Sequence, residues 1–354
     1  MTHRSPSTIA VVSGLERACA AIPRSAIGSN DNRGVSGEGH GHSHASAGDL
    51  LKEGSQAGIR ALRISALGLL ITSAIQFTVV AIGGSVALFA DALHNLGDVL
   101  TSIVLWVALI ATRRAADRRY TFGYQRFEDL AGLGIVLAIF ASAAVAAYEA
   151  ITHIVDNTVP THLALGMAAG GVGFAGNEIV AQIKVRRGKK IGSSALVAEG
   201  QHSRLDGLAS LAAVAGLGGV MAGWDLADPV AGLVLVVVIV AVGVQAARPI
   251  VATLLDRVEP TLVEEITHAV EHVDGVDAVH DVRARYAGRA LYVALNVSLS
   301  GDMPLERAHQ LTEEARHAVL HAFPEVVQID VHADPSGEDH AAYHEETAHH
   351  FEGG

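Results

Sequence analysis

Residues 87–98 read Ala-Leu-Phe-Ala-Asp-Ala-Leu-His-Asn-Leu-Gly-Asp, and residues 195–206 read Ala-Leu-Val-Ala-Glu-Gly-Gln-His-Ser-Arg-Leu-Asp. At a constant offset of 108, Asp91 falls on Glu199, His94 on His202 and Asp98 on Asp206, and Ser102 and Ser210 continue the match. Agreement among apolar positions is cheap in membrane helices. Agreement among ionisable ones is not, because each costs free energy in hydrocarbon.

The surroundings of both stretches are apolar. Half the residues are hydrophobic and only 18% are charged. Six stretches, 61–82, 86–112, 130–155, 161–183, 193–222 and 229–253, approach or exceed the roughly 20 residues a spanning helix needs. Buried helices of a soluble α protein would need amphipathic partners that the sequence lacks. The expected fold is therefore an α-helical membrane protein with six transmembrane helices, occupying residues 57–255. The loop after the second stretch holds Arg113, Arg114, Arg118, Arg119 and Arg126, and that after the fourth holds Lys184, Arg186, Arg187, Lys189 and Lys190. The opposite loops hold no Lys or Arg, so the positive-inside rule places both termini in the cytoplasm.

Charge divides the chain near residue 256. The formal net charge of −12 resolves into 19 basic against 17 acidic residues before it and 6 against 20 after it. An acidic soluble block excludes nucleic acid as a partner. Its pattern is a helix near 260–273, strands at 276–286 and 290–299, a helix near 304–322 and a strand at 326–332, which reads as a small α+β domain over 256–335. Residues 1–56, with a His40, His42 and His44 cluster, read as a disordered cytoplasmic leader, and 336–354 as a disordered tail rich in His and Glu. Both His-rich segments are candidates for weak metal scavenging. The lone Cys19 excludes multi-cysteine zinc clusters, so metal chemistry must rest on His and carboxylates.

Spacing supplies the geometry. His94 and Asp98 are four residues apart, as are His202 and Asp206, so each pair projects from one helix face. Facing each other, the two helices offer two imidazoles and two carboxylates, a tetrahedral set suited to Zn²⁺, with Cd²⁺, Co²⁺, Ni²⁺ or Fe²⁺ as alternatives. Each pair could instead be a private hydrogen bond within its helix, but its repetition argues against that. The two helices run in opposite directions through the membrane, an inverted repeat of the kind found around transport sites. Asp91 and Glu199, one turn before the histidines, are expected on the access path or behind the ligands. Arg204 should point away from the metal, pairing with an acid such as Glu178 or reaching toward the inner surface. Glycines at 166, 170, 171, 173 and 176 make the fourth helix smooth and suited to close packing.

The paired His-x-x-x-Asp motifs, the segment Tyr120-Thr121-Phe122-Gly123-Tyr124-Gln125-Arg126-Phe127-Glu128, Asn177 and the acidic C-terminal domain together resemble the cation diffusion facilitator family of metal/proton antiporters, over residues 57–335. The resemblance implies a homodimer in a bacterial inner (plasma) membrane, with a cytoplasmic ferredoxin-like domain, exporting Zn²⁺ from the cytosol in exchange for H⁺. It also implies a cytoplasmic metal site from His280, His309, His332 and Asp334; because paired acidic domains repel one another, metal bound there is expected to make the acidic block a metal-responsive clamp. Asn296 stands where the family places a histidine ligand, which speaks against a full binuclear site. The loop before the third helix has Asp117, Tyr120 and Tyr124 where some relatives carry an Asp and two His, so no tight metal site is expected there. His268, His272, His317 and His321 read as surface histidines. Two other functions use the same membrane site: a metal sensor that moves no ions, and a metalloenzyme that activates water.

Overall fold

The computed structural model describes residues 47–83, 86–156, 163–224, 226–336 and 350, without the side chains of residues 76, 79–97, 156, 163 and 165. The histidine clusters of the leader and of residues 340–349 lie outside the described residues.

All six apolar stretches are helices: α1 (Ala47–Gly83), α2 (Val86–Ala111), α3 (Arg126–Asp156), α4 (Leu163–Ile191), α5 (Ser194–Met221) and α6 (Ala227–Leu254). Among the described residues, α1, α3, α5 and α6 are long and apolar enough to cross a membrane, and α2 adds the shorter apolar segment Asp98–Ala111. Leu67, Ile71, Leu100, Val104, Leu137, Val145, Val234 and Val237 are each more than half exposed on these helices. Water would not tolerate so much apolar surface, whereas hydrocarbon does.

Two boundaries differ from the expected ones. Residues 47–56, expected in a disordered leader, are the first turns of α1, tied down by tertiary contacts: buried Ser55 accepts a 2.7 Å bond from Arg289 Nη2 and lies 3.3 Å from Thr112 Oγ1. The basic run from Lys184 to Lys190 is not a loop but the last turns of α4, joined to α5 by Gly192 and Ser193 alone, with the Ser193 hydroxyl capping α5 at Leu196 N–H.

Small residues set the packing of α4 on α5. A Cβ added at Gly200 would lie 2.6 Å from Val185 Cγ2 and 2.9 Å from Val185 N, and one at Gly170 would lie 2.9 Å from the Ser210 carbonyl. Only glycine permits this approach, which brings the basic end of α4 against the His202 turn of α5.

The soluble domain has the expected order: α7 (Pro260–Glu271), β1 (Ala278–Ala287), β2 (Ala290–Ser300), α8 (Leu305–Ala322) and β3 (Val326–Ser336). The sheet order is β1-β2-β3, with β1 and β2 antiparallel and β2 and β3 parallel. Leu291, Val293, Leu295, Val297 and Leu299 alternate along β2 and meet Leu262, Ile266 and Val270 of α7 and Leu311, Ala315 and Val319 of α8. Both helices therefore cover one face. The intervening β2 positions, including Asn296 and Ser298, belong to the other face.

The β1–β2 turn plugs into the base of the helical domain. Arg289 Nε donates to Glu128 Oε2 at 3.0 Å, Gly288 N–H donates to Asp129 Oδ2 at 2.8 Å, and the Tyr292 hydroxyl donates to the Phe122 carbonyl at 2.7 Å. Arg126 pairs with Asp256 at the chain's passage out of α6 and donates to the Thr253 carbonyl.

Candidate metal centre

Asp98 on α2 and His202 and Asp206 on α5 are all buried, and one ligand atom from each lies within 4.8 Å of the others. Among the described residues, no other three His, Cys, Asp or Glu side chains are gathered as closely. His202 stands between the two carboxylates, with Nε2 3.6 Å from Asp98 Oδ1 and Nδ1 3.7 Å from Asp206 Oδ2. Both separations are too long for hydrogen bonds. An imidazole binds a given ion through one nitrogen only, so at most one of the two separations corresponds to the ~3.3 Å edge between neighbouring N and O ligands around a tetrahedral zinc with bonds of about 2.0 Å.

The fourth expected ligand, His94, occupies α2 one turn before Asp98, and Asp91 lies one position short of a further turn back. Their side chains are outside the described ones. Asn177 of α4 is buried next to this group, its Cβ in contact range of the Cβ position at Gly207, the residue after Asp206.

Sequence reasoning missed a fully buried charge in the membrane domain. Lys184, expected in a loop, is fully buried, and its ammonium donates to Glu199 Oε1, Ser102 Oγ and Ser203 Oγ, each at 3.0 Å. Glu199 Oε1 also accepts from Ser102 at 2.7 Å and Thr101 at 3.1 Å. Glu199, which was expected on the access path or behind the ligands, is thus held in an ion pair joining α2, α4 and α5. The signal was available in the repeat itself, since a carboxylate one turn from a metal ligand in hydrocarbon needs a counter-charge. Arg204 also has its partner, donating two 3.1 Å bonds to the Glu178 carboxylate on α4.

In the soluble domain, β pairing aligns His280 with Asn296 and Asn296 with His332, and Ser298 with Asp334. Buried Asp334 collects the group: Oδ2 lies 3.0 Å from His280 Nε2 and 3.2 Å from Asn296 Nδ2, and Oδ1 lies 3.2 Å from His332 Nε2. His309 does not join them. It is exposed on α8, which covers the opposite face of the sheet, so one chain does not assemble the four-residue set implied by the resemblance. In the α2–α3 loop, Asp117 accepts from the Tyr124 hydroxyl at 2.6 Å and from the N–H groups of Arg119 and Tyr120. These bonds hold the Asp117 carboxyl below its ordinary value, the Tyr124 bond contributing most, and push the Tyr124 phenol up.

A six-helix apolar body with a buried Asp–His–Asp group that could hold a metal ion, carrying a small α+β domain, defines an integral membrane protein. The family model of the cation efflux transmembrane domain matches residues 62–255, and that of the cation efflux protein cytoplasmic domain matches residues 258–336. A probable cation efflux system protein of Mycobacterium tuberculosis is 41% identical over 297 residues, covering 84% of this chain and 90% of its own length. The manganese efflux system protein MneP of Bacillus subtilis is 28% identical over 268 residues, covering 73% and 89%. A solved MamM CTD variant in its cadmium form is 26% identical, covers 22% of this chain and 98% of its own, and has a TM-score of 0.22. The chain belongs to the cation efflux family, whose members are transporters of divalent metal cations and not enzymes, which sets the metalloenzyme aside.

Proposed function

We propose that this protein exports Zn²⁺ from the cytoplasm in exchange for H⁺, through a site formed by His94, Asp98, His202 and Asp206 between two antiparallel spans. The observation that carries the proposal is the buried Asp98–His202–Asp206 group on helices that repeat each other's ligand spacing. Charge supports it. Lys184 offsets Glu199, leaving the two aspartates to balance one divalent cation. Imidazole must be neutral to bind a metal and titrates near neutrality, so loading Zn²⁺ sheds protons and protonation from outside favours release. A soft Cu(I) would want sulfur ligands and Mg²⁺ would want more oxygens.

The same reading has six spans, both termini in the cytoplasm of a bacterial plasma membrane, and a homodimer held through the cytoplasmic domain. His280, His332 and Asp334 on the helix-free sheet face are its regulatory metal residues, with Asn296 completing their hydrogen bonding. The manganese named for the Bacillus relative makes Mn²⁺ the natural competitor. The test is uptake of radioactive Zn²⁺ into inside-out vesicles under an imposed proton gradient, with Mn²⁺ in parallel. Gradient-dependent accumulation of Zn²⁺ supports the proposal. Binding without accumulation would point to a sensor, and accumulation of Mn²⁺ alone would overturn the assignment of zinc.

A further inference from the structure

Helices α7 and α8 carry the same surface motif. Residues 264–272 read Glu-Glu-Ile-Thr-His-Ala-Val-Glu-His and residues 313–321 read Glu-Glu-Ala-Arg-His-Ala-Val-Leu-His. In each, Ile266 and Val270 or Ala315 and Val319 turn inward to the core, which leaves the two histidines, four residues apart, exposed on neighbouring turns. The rings come together: centroids are 4.2 Å apart for His268 and His272 and 4.7 Å apart for His317 and His321.

The α7 pair has a further feature. His272 Nδ1 lies 2.7 Å from the His268 carbonyl oxygen. A carbonyl only accepts, so Nδ1 carries the proton and Nε2 keeps its lone pair free. Fixing one ring nitrogen on a backbone carbonyl is how ligating histidines are oriented. Glu264, one turn before His268, adds an exposed carboxylate to the same stripe. On α8, by contrast, the two acids are engaged by arginines, Glu314 by Arg307 at 3.0 Å and Glu313 by Arg316 at 3.4 Å.

We propose that His268 and His272 form a separate metal-binding site on the outer face of the cytoplasmic domain, chelating one borderline transition-metal cation such as Zn²⁺ or Ni²⁺ through an imidazole nitrogen from each residue. Two neutral nitrogens on adjacent helical turns suit such ions and not Mg²⁺ or Ca²⁺, which take oxygen. His317 and His321 form a second, weaker copy. The site lies on the helix-covered face, away from His280, His332 and Asp334, and does not depend on transport.

The experiment is carbethoxylation of histidines in the full chain in detergent, read residue by residue by mass spectrometry. Added Zn²⁺ should slow modification of His268 and His272 together, with one concentration dependence, and of His317 and His321 only at higher concentration. Millimolar Mg²⁺ should protect neither. In His272→Gln, an exposed substitution that leaves the fold intact, Zn²⁺ should no longer protect His268. Protection of His268 that survives in His272→Gln, or none in the unaltered chain, would overturn the proposal.

Discussion

Lys184 and Glu199 show what a single buried charge does beside the Asp98–His202–Asp206 group. Their 3.0 Å pair is out of reach of solvent, so removing one partner strands the other. Lys184→Met should cost about 3–5 kcal/mol, as breaking buried pairs does, and the double variant Lys184→Met with Glu199→Gln should recover much of that loss. Thermal unfolding of the detergent-solubilised variants checks this; a double variant as unstable as the single would show that the pair's geometry, not charge balance, matters. The meeting of Asp98 with His202 and Asp206 was legible in the sequence because four-residue spacing is a local property of a helix and because the repeat doubled the signal. Lys184 was not. Its partner comes from the next helix, and counting apolar residues stopped the span at 183, one residue short of it.

At the scale of elements, the ends of helices were the least legible, for a physical reason. Residues 47–56 are too polar to read as part of a span, yet they are helical because Ser55 meets Arg289, a residue more than two hundred positions later. The close packing of α4, by contrast, was readable from its glycines, although its partner α5 was not. Gly200→Val should push α4 away and cost about 1–3 kcal/mol by overpacking against Val185, read as a lowered melting temperature. Arg289→Ala should free the β1–β2 turn from Glu128 and Ser55, leaving the Gly288 N–H bond to Asp129, and speed amide hydrogen exchange across residues 122–129; unchanged exchange would mean that Arg289 does not hold the two domains together. In the α2–α3 loop, the depressed Asp117 carboxyl contributes stability that is present above its ordinary value of 3.8 and is lost as pH falls through the lowered one. Tyr124→Phe should move Asp117 back toward ordinary carboxylate behaviour in a carboxyl-resolved NMR titration, and an unchanged titration would contradict the assigned cause.

For the whole molecule, the uneven charge takes on a structural meaning. The acidic block is a separate three-stranded domain, and much of the basic charge of the helical body lies at the ends of α2 and α4 and in the loop into α3. The division into an apolar body and an acidic domain was legible from composition. The docking of the β1–β2 turn into the α3 entrance was not, because no local pattern encodes a contact between segments more than 150 residues apart. Asp98 lies 3.6 Å from His202, so the two segments that the offset of 108 relates in sequence meet at one buried group.

The most direct test of the central claim, that this group exchanges metal for protons, is to follow internal pH and Zn²⁺ together in proteoliposomes holding the full chain. The expected result is that Zn²⁺ entry drives proton exit, and that His202→Ala abolishes both while the variant remains folded. Zn²⁺ movement with no proton flux, or flux that persists unchanged in His202→Ala, would contradict it.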